Sequence, residues 1–475
     1  MASTTSSSAL LDLIKQGKPM TMKQQLLLTA QLSAPAIMAQ LSSIVMQYID
    51  ASMVGSLGAH PAASIGLVST TIWLFAGICS ASTTGFAVQV AHMIGASRND
   101  DARSVVRQSL VACLLFGCFM SALGCAISGP LPRWLGGSDI INADATRYFL
   151  VFALCIPFLV VRILAGAMLR CSGNMKVPGL LNVLACVLDV IFNFFLIFPT
   201  RDIACCGMVL TVPGAGLAVT GAVLGTAFAE VITAGLMLYF LYFRSTELQM
   251  MKHRGSFVPT RPCLNKAVKI SLPMAAQHTV MCTAQIFITA IVAPLGSVAI
   301  AANSFAITAE SLCYMPGYGI SEAATTLVGQ SMGARRRDLT RRFAAITVGA
   351  GMAIMTVMGV LMYVTAPLMM GIMTPVQQVV DLGTQVLRIE AWAEPLFAAA
   401  IVSYGVFVGA GDTKVPAIMN FSSMWGVRLI LAALLAPSMG LRGVWMAMCI
   451  ELCVRGTLFL LRLRGEAWTR KKTVL

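Results

Sequence analysis

Gln40, Ser43, Gln47 and Asp50 follow one another at steps of three, four and three residues. On a helix that spacing places them along one face, within a stretch that is otherwise apolar. Asn182, Asp189 and Asn193, at steps of seven and four, form a second such face, and Thr226 and Glu230, four apart, form a third. Carboxylate, amide and hydroxyl oxygens are hard ligands that suit an alkali cation, and a carboxyl can instead carry a proton. The chemistry open to these residues is cation binding, proton loading and release, or a structural acid–amide network. Spacing alone does not bring the three faces together.

The elements that must carry them span a membrane. Of 475 residues, 57% are hydrophobic and 11% are charged, against roughly 25% charged in soluble domains. Apolar stretches of about 20 residues, the length that crosses a bilayer, recur throughout. Twelve spans are expected near 27–54, 62–93, 104–128, 146–169, 177–198, 214–243, 267–293, 298–329, 342–366, 380–409, 415–437 and 442–461. In lipid, each must satisfy its own backbone polar groups, which makes them helices. The expected fold is all-α and membrane-embedded. The start, "MASTTSSSALLDLIKQGK", has no basic-then-apolar signal pattern.

The formal charge of +14 could suggest nucleic acid, but its distribution does not. Twenty-five of 33 Lys and Arg lie at alternate connections, counted from the N-terminus, or at the helix ends beside them. The opposite connections hold Arg133, Arg147, Arg201 and Arg442, and Arg162, Arg388, Arg428 and Arg455 fall in or at the ends of spans. By the positive-inside rule both termini are cytoplasmic, and the excess charge meets anionic lipid heads. The expected partners are membrane lipids and small molecules, with no nucleic acid, in a multi-pass protein of the plasma (inner) membrane.

A repeat organises the chain. "GNMKVPGLLN" (173–182) returns as "GDTKVPAIMN" (411–420), an offset of 238 residues. Pro35 and Pro273, Gly58 and Gly296, "IGASRNDDAR" and "MGARRRDLTR", and Pro157 and Pro395 keep the same offset. The chain is therefore two copies of a six-helix unit. Six is even, so the copies are parallel, related by a pseudo-two-fold axis along the membrane normal. The expected boundaries are an N-terminal lobe at 1–243, a cytoplasmic linker at 244–265, and a C-terminal lobe with a basic tail at 266–475. Pro35 and Pro273, inside the first helix of each lobe, are static kinks or hinges.

In the second lobe the polar candidates are Gln285, Glu310, Glu322, Glu390 and Glu394, the last two on one helix face. An acid inside a bilayer costs about 2.5–3.5 kcal/mol on insertion scales, so these are candidates for holding a cationic substrate. His278 reads as a packed, hydrogen-bonded histidine. Arg428 and Glu451 are placed to form an ion pair. The fourteen cysteines show no metal-ligand spacing and the thirty methionines suit either core filling or adaptable walls. With four scattered histidines and no HExxH or nucleophile motif, an enzyme is the least supported class.

"MQYIDASMVGSLGAHPAASIGL" (46–67), "GNMKVP", "GDTKVP", "LVGQSMGARRR" (327–337) and "LDVIFNFFLIF" (188–198) together resemble the multidrug and toxic compound extrusion (MATE) transporters over nearly the whole chain. The resemblance implies two six-helix bundles around a cavity open to one face at a time. It implies efflux of amphiphilic, often cationic, compounds in antiport with protons or sodium ions. The chain is expected to work as a monomer without a cofactor. It also implies a cation-coupling site at Asp50, Asp189, Asn193 and Thr226, which would be the site of a sodium ion; Gln47, Asn182 and Glu230, on the same polar faces, are expected to support it. On the fifth helix the family places Asn before Asp; here the order is Asp189 then Asn193. The neighbouring reading, a flippase for lipid-linked precursors of a related fold, needs cations lining its cavity, whereas the intramembrane charges here are mostly acidic.

Overall fold

The computed structural model of the chain describes residues 6–205, 208–250 and 255–470. A short helix, α1 (Ser7–Lys15), precedes the spans. The first lobe comprises α2 (Met22–Gly55), α3 (Ala59–Gly95), α4 (Asn99–Ser128), the short α5 (Leu131–Trp134), α6 (Asp139–Cys171), α7 (Lys176–Ile197), and α8 (Ala218–Tyr239), which ends in a π turn at Phe240–Arg244. The second comprises α9 (Arg261–Val292), α10 (Ser297–Gly333), α11 (Arg337–Met373), α12 (Gln377–Glu390), α13 (Glu394–Gly409), α14 (Lys414–Ser423), a π turn at Met424–Leu429, α15 (Ile430–Met439) and α16 (Leu441–Arg464). Among the described residues eleven helices are long and apolar enough to cross a membrane, and the bent pair α12–α13 makes the twelfth span.

Local chemistry sets the helix starts and stops. At α2, Thr21 accepts the Gln24 amide while the Gln24 side chain accepts the Thr21 N–H, a reciprocal cap. The glycines of the repeated phrase, Gly173 and Gly411, have φ of 87° and 76° just after α6 and α13, where only a residue without Cβ turns at little cost. Ser97 and Arg335, also 238 residues apart, both take φ near 60°.

The repeat is visible in the coordinates. Four helix starts, Ala59 and Ser297, Asn99 and Arg337, Asp139 and Gln377, Lys176 and Lys414, keep the offset of 238. The register fails after α7, and the cause is a feature not expected from the sequence. Strands β1 (Pro199–Cys205) and β2 (Met208–Ala215) pair antiparallel between α7 and α8. The second lobe has no such insertion and passes from α15 to α16 through Gly440 alone. The tenth span differs too: a single helix was expected, but α12 and α13 meet at a 60° bend over Ala391–Ala393. Pro395 follows the bend, whereas its counterpart Pro157 sits inside the unbroken α6.

The lobes meet through bare backbone. A Cβ on Gly95 would lie 2.0 Å from the Gln330 carbonyl, and one on Gly333 would lie 2.0 Å from the His92 carbonyl. Small residues permit such approach where lipid offers no hydrophobic drive. Two hydrogen bonds repeat the symmetry: the His92 ring meets the Gly409 carbonyl at 2.8 Å, and Gln330 Nε2 donates to the Cys171 carbonyl at 2.7 Å. These contacts gather the lobes at the end where α1, the linker and the tail lie. Leu10, Leu11 and Ile14 of α1 are buried there with Met175 of the first lobe and Ala323, Leu327 and Phe343 of the second. Lys15 pairs with Glu247 of the linker.

Candidate functional site: buried charge in each lobe

In the first lobe, α2, α7 and α8 bring the expected residues together. Asn193 Nδ2 donates to Asp50 Oδ1 at 2.9 Å and to Asp189 Oδ2 at 3.2 Å. One amide thus bridges two carboxylates. Asp189 and Asn193 are each 1% exposed. They are one turn apart on α7, about 6 Å along its axis, so a single face presents both to α2. Gly225 of α8 makes the fit possible: its Cβ would lie 2.0 Å from Asn193 Oδ1. Thr226, beside it, reaches Asp189 and also donates to the Ala222 carbonyl at 3.2 Å. Tyr148 of α6 lies close to Asp50 and Asp189.

A cavity of about 70 Å³ adjoins the trio, lined by Ser43, Arg162, Asn182, Cys186, Asp189, Thr226 and Glu230 among others. That volume suits an ion or a few waters; drug-sized ligands occupy pockets of about 300–1,000 Å³. On its far wall Arg162 donates through Nε to Glu230 at 2.5 Å and through Nη1 to Asn182 at 3.1 Å. Glu230 and Asn182 therefore serve an arginine rather than the trio directly. The polar face of α2 divides: Ser43 and Asp50 face this site, Gln40 bonds Glu322 of the second lobe at 3.3 Å, and Gln47 is exposed. Gln47 is thus not part of the cluster. Pro35 and Pro273 lie inside unbroken helices, Pro35 packed under Gly179 of α7.

The second lobe has a different arrangement. Glu310 of α10 and the two glutamates flanking the α12–α13 bend form one buried acidic group, with Glu390 and Glu394 both 0% exposed. Their carboxylate oxygens have no N–H or O–H partner among the described residues. Glu394 occupies the first turn of α13, where a helix N-terminus favours negative charge, and the Cys313 thiol lies beside it. Glu451 is paired, but to Arg455 at 3.0 Å and to the Ser423 hydroxyl at 2.6 Å, rather than to Arg428 as the sequence suggested. Arg428 instead lies against Met448 and Met424. Gln285 is half-buried on α9 and joins no hydrogen bond with these acids among the described residues. Glu322 belongs to the interlobe seam, with Gln40 and Arg170. His278 is packed as expected, against Gly77 and bonded to the Trp73 carbonyl at 3.0 Å.

Sequence reasoning missed two participants. Arg162 was visible only as a lone charge inside the apolar "LVVRILAG", and a buried arginine must find an acid. Tyr148 carried no signal beyond its type. What the first-lobe group can do is exchange a cation or a proton at a bridged pair of carboxylates. What the second can do is accept positive charge, since four carboxylates face two guanidiniums.

Comparison with known proteins agrees with this geometry. The MatE family model matches residues 35–195 and again 273–434, two matches that begin 238 residues apart. A probable multidrug resistance protein NorM of Thermotoga maritima is 24% identical over 445 residues, covering 93% of this chain and 92% of that protein. One of Neisseria meningitidis serogroup B is 26% identical over 469 residues, covering 94% and 98%. A solved structure described as the outward-facing conformation of a multidrug resistance MATE family transporter superposes with a TM-score of 0.86 at 19% identity, covering 97% of this chain and 99% of that one. A transporter of the MOP superfamily from Pyrococcus furiosus superposes equally, at 20% identity and the same coverage. With the family model covering well over half its length, the chain belongs to the MatE family of membrane transporters and is not an enzyme.

Proposed function

We propose that the chain is a secondary active multidrug exporter: it expels amphiphilic, cationic compounds in antiport with protons or sodium ions. The observation that carries this is the Asn193 amide bridging Asp50 and Asp189 beside a cavity sized for an ion. The first lobe binds the coupling cation. The acidic group at the bend of the second lobe attracts the cationic cargo, with Glu310 and Glu394 nearest to it in role. The relatives' printed names, multidrug resistance proteins, support the cargo class. The transporter works as a monomer in the plasma (inner) membrane, with both termini and the 244–265 linker cytoplasmic, as the 25-to-4 split of connection Lys and Arg favours.

The cycle follows from the two-lobe construction. With the lobes held together at the terminal face by the His92 and Gln330 contacts, they part toward the opposite face in the cycle proposed. Binding a proton or sodium ion at the bridged carboxylates changes how α2, α7 and α8 hold together, and the lobes rock in response.

The test is gradient-driven ethidium transport in proteoliposomes, with proton and sodium gradients imposed one at a time. Asp50→Asn keeps the side chain's size but cannot exchange a charge. It is expected to leave a folded protein whose driven transport falls to background. Accumulation against a gradient by that variant would remove Asp50 from the coupling site.

A further inference from the structure

The first-lobe cavity already contains a cation. Arg162 projects from the middle of α6, an otherwise apolar helix, and spends two of its three nitrogens on Glu230 and Asn182. Its guanidinium and the Asp189 carboxylate line the same small cavity. We propose that Arg162 selects the coupling ion: as the resident cation of the site, it excludes sodium and leaves the proton as the only ion that can be exchanged. This rests on the bridged carboxylates being the coupling site.

Three observations carry it. First, a dehydrated sodium ion needs a shell of oxygen ligands, and Arg162 has taken two of the side-chain oxygen donors on the cavity wall, Asn182 Oδ1 and Glu230 Oε2. Second, Asp50 and Asp189 contact one another directly and the Asn193 amide nitrogen donates to both, so no gap is left between them for a bridging sodium. Third, the guanidinium cannot lose its charge and holds Glu230 as its partner, so this side of the roughly 70 Å³ cavity offers an incoming sodium ion no net negative charge. A proton meets none of these obstacles. It binds an oxygen already in place, needs no ligand shell and occupies no volume.

The titratable and charged groups that face the cavity and trio are Asp50 of α2, Tyr148 and Arg162 of α6, Cys186 and Asp189 of α7, and Glu230 of α8. Only Arg162 among them is permanently positive. Glu230 is its fixed partner, so Asp50 and Asp189 remain for the exchanged proton.

The experiment measures binding of radiolabelled sodium to purified protein, separately from ethidium transport. Removing Arg162 alone would strand Glu230 as a buried unpaired acid, so the informative variant is the pair Arg162→Met with Glu230→Gln. Wild type is expected to bind no sodium in the millimolar range. The paired variant, if monodisperse with a wild-type melting temperature, is expected to bind it at least about tenfold more tightly: one positive and one negative charge leave together, so the gain comes from Asn182 Oδ1 and the amide oxygen at position 230, both released from the guanidinium to serve as ligands. Adding Asp189→Asn should abolish that gain. Arg162→Lys, which keeps the charge, should exclude sodium as wild type does. Sodium binding by wild type that disappears in Asp189→Asn overturns the proposal, and so does a folded paired variant that binds none. Ethidium that no gradient moves would count against the export reading instead, while the sodium result would still decide the role of Arg162.

Discussion

In the first lobe Asn193 reaches two carboxylates; at the matching register position of the second lobe stands Leu431, and Asp50 and Asp189 are answered by Ile288 and Val427. The reverse holds as well. Glu310, Glu390 and Glu394 correspond to Ile72, Phe152 and Ile156. Helix starts, turn glycines and the seam have kept the repeat, while the buried charges have not. The difference has a physical source. Helix starts and interlobe contacts are set by backbone geometry that both copies must share to close on one another. A buried acid needs partners only within its own lobe. Each lobe could therefore acquire its own charge cluster without disturbing the symmetry, and the unbroken α6 and the bent α12–α13 are the scaffolds on which they differ.

The sharpest way to break this comparison is at the part said to be shared. Gly95→Ala and Gly333→Ala each drive a methyl into a carbonyl of the opposite lobe. Each is expected to cost about 1–3 kcal/mol or more through overpacking. If the seam is symmetric, the two variants should behave alike. The measurement is melting temperature together with maleimide labelling of the native, buried Cys171, read by peptide mass spectrometry. Faster labelling in both shows that the terminal face has opened. Gly349→Ala, with nothing within 4 Å, is the control and should be neutral or slightly stabilising. A large effect from only one of the seam glycines would end the claim of equivalence.

A smaller but more specific effect is expected where the lobes diverge. Asp189→Asn leaves an amide pair and should abolish coupled efflux at equal expression. Adding Asn193→Asp restores the charge count and the family's usual order. The structure sharpens what this double variant tests, because residue 193 is the central one of the three. A carboxylate there meets Asp50 directly, with no amide between. Part of the activity should return, with an altered pH dependence of ethidium efflux. If the folded double variant is as inactive as the single one, the bridging amide is position-specific.

Much of this was legible in the sequence, and the missing parts share a cause. The spans, the offset of 238 and the polar faces of α2 and α7 follow from composition and spacing, which act locally. That Asp50, Asp189 and Asn193 meet came from the family resemblance, since spacing within one helix says nothing about its neighbour. Arg162 took Glu230 and Asn182 away from the expected group, and Arg455 took Glu451 from Arg428. Pairing choices of this kind depend on distances between helices. The hairpin at β1–β2 and the bend at Ala391–Ala393 were hidden for another reason: each lies in a stretch whose composition fits a plain connection or a plain span.

The smallest expected effect lies at the ends of the two lobes, which are fastened by different ion pairs. The first lobe's extension, α1, is tied by Lys15 to the partly buried Glu247. The second lobe's tail is tied by the exposed Glu466, which meets Arg341 and Arg470 at 2.6 Å each. Hydrogen bonds from Arg341 and then Arg470 hold the Glu466 carboxyl below the usual glutamate range. A carboxyl depressed by folding contributes stability above its unfolded value and loses it as pH falls through the folded value. The tail fastening is thus complete at neutral pH and fades only in acid. Being exposed, it is also weak and screened by salt. Glu466→Gln should therefore speed amide hydrogen exchange over 465–470 modestly at neutral pH and low salt. The buried Trp468 packed on Phe407 should hold the tail in place, so the melting temperature should not move. At high salt, or in acid below the folded value, variant and wild type should exchange alike. A difference that persists in high salt would mean that Glu466 is held by more than exposed charge, and that the two ends are fastened more alike than their burial suggests.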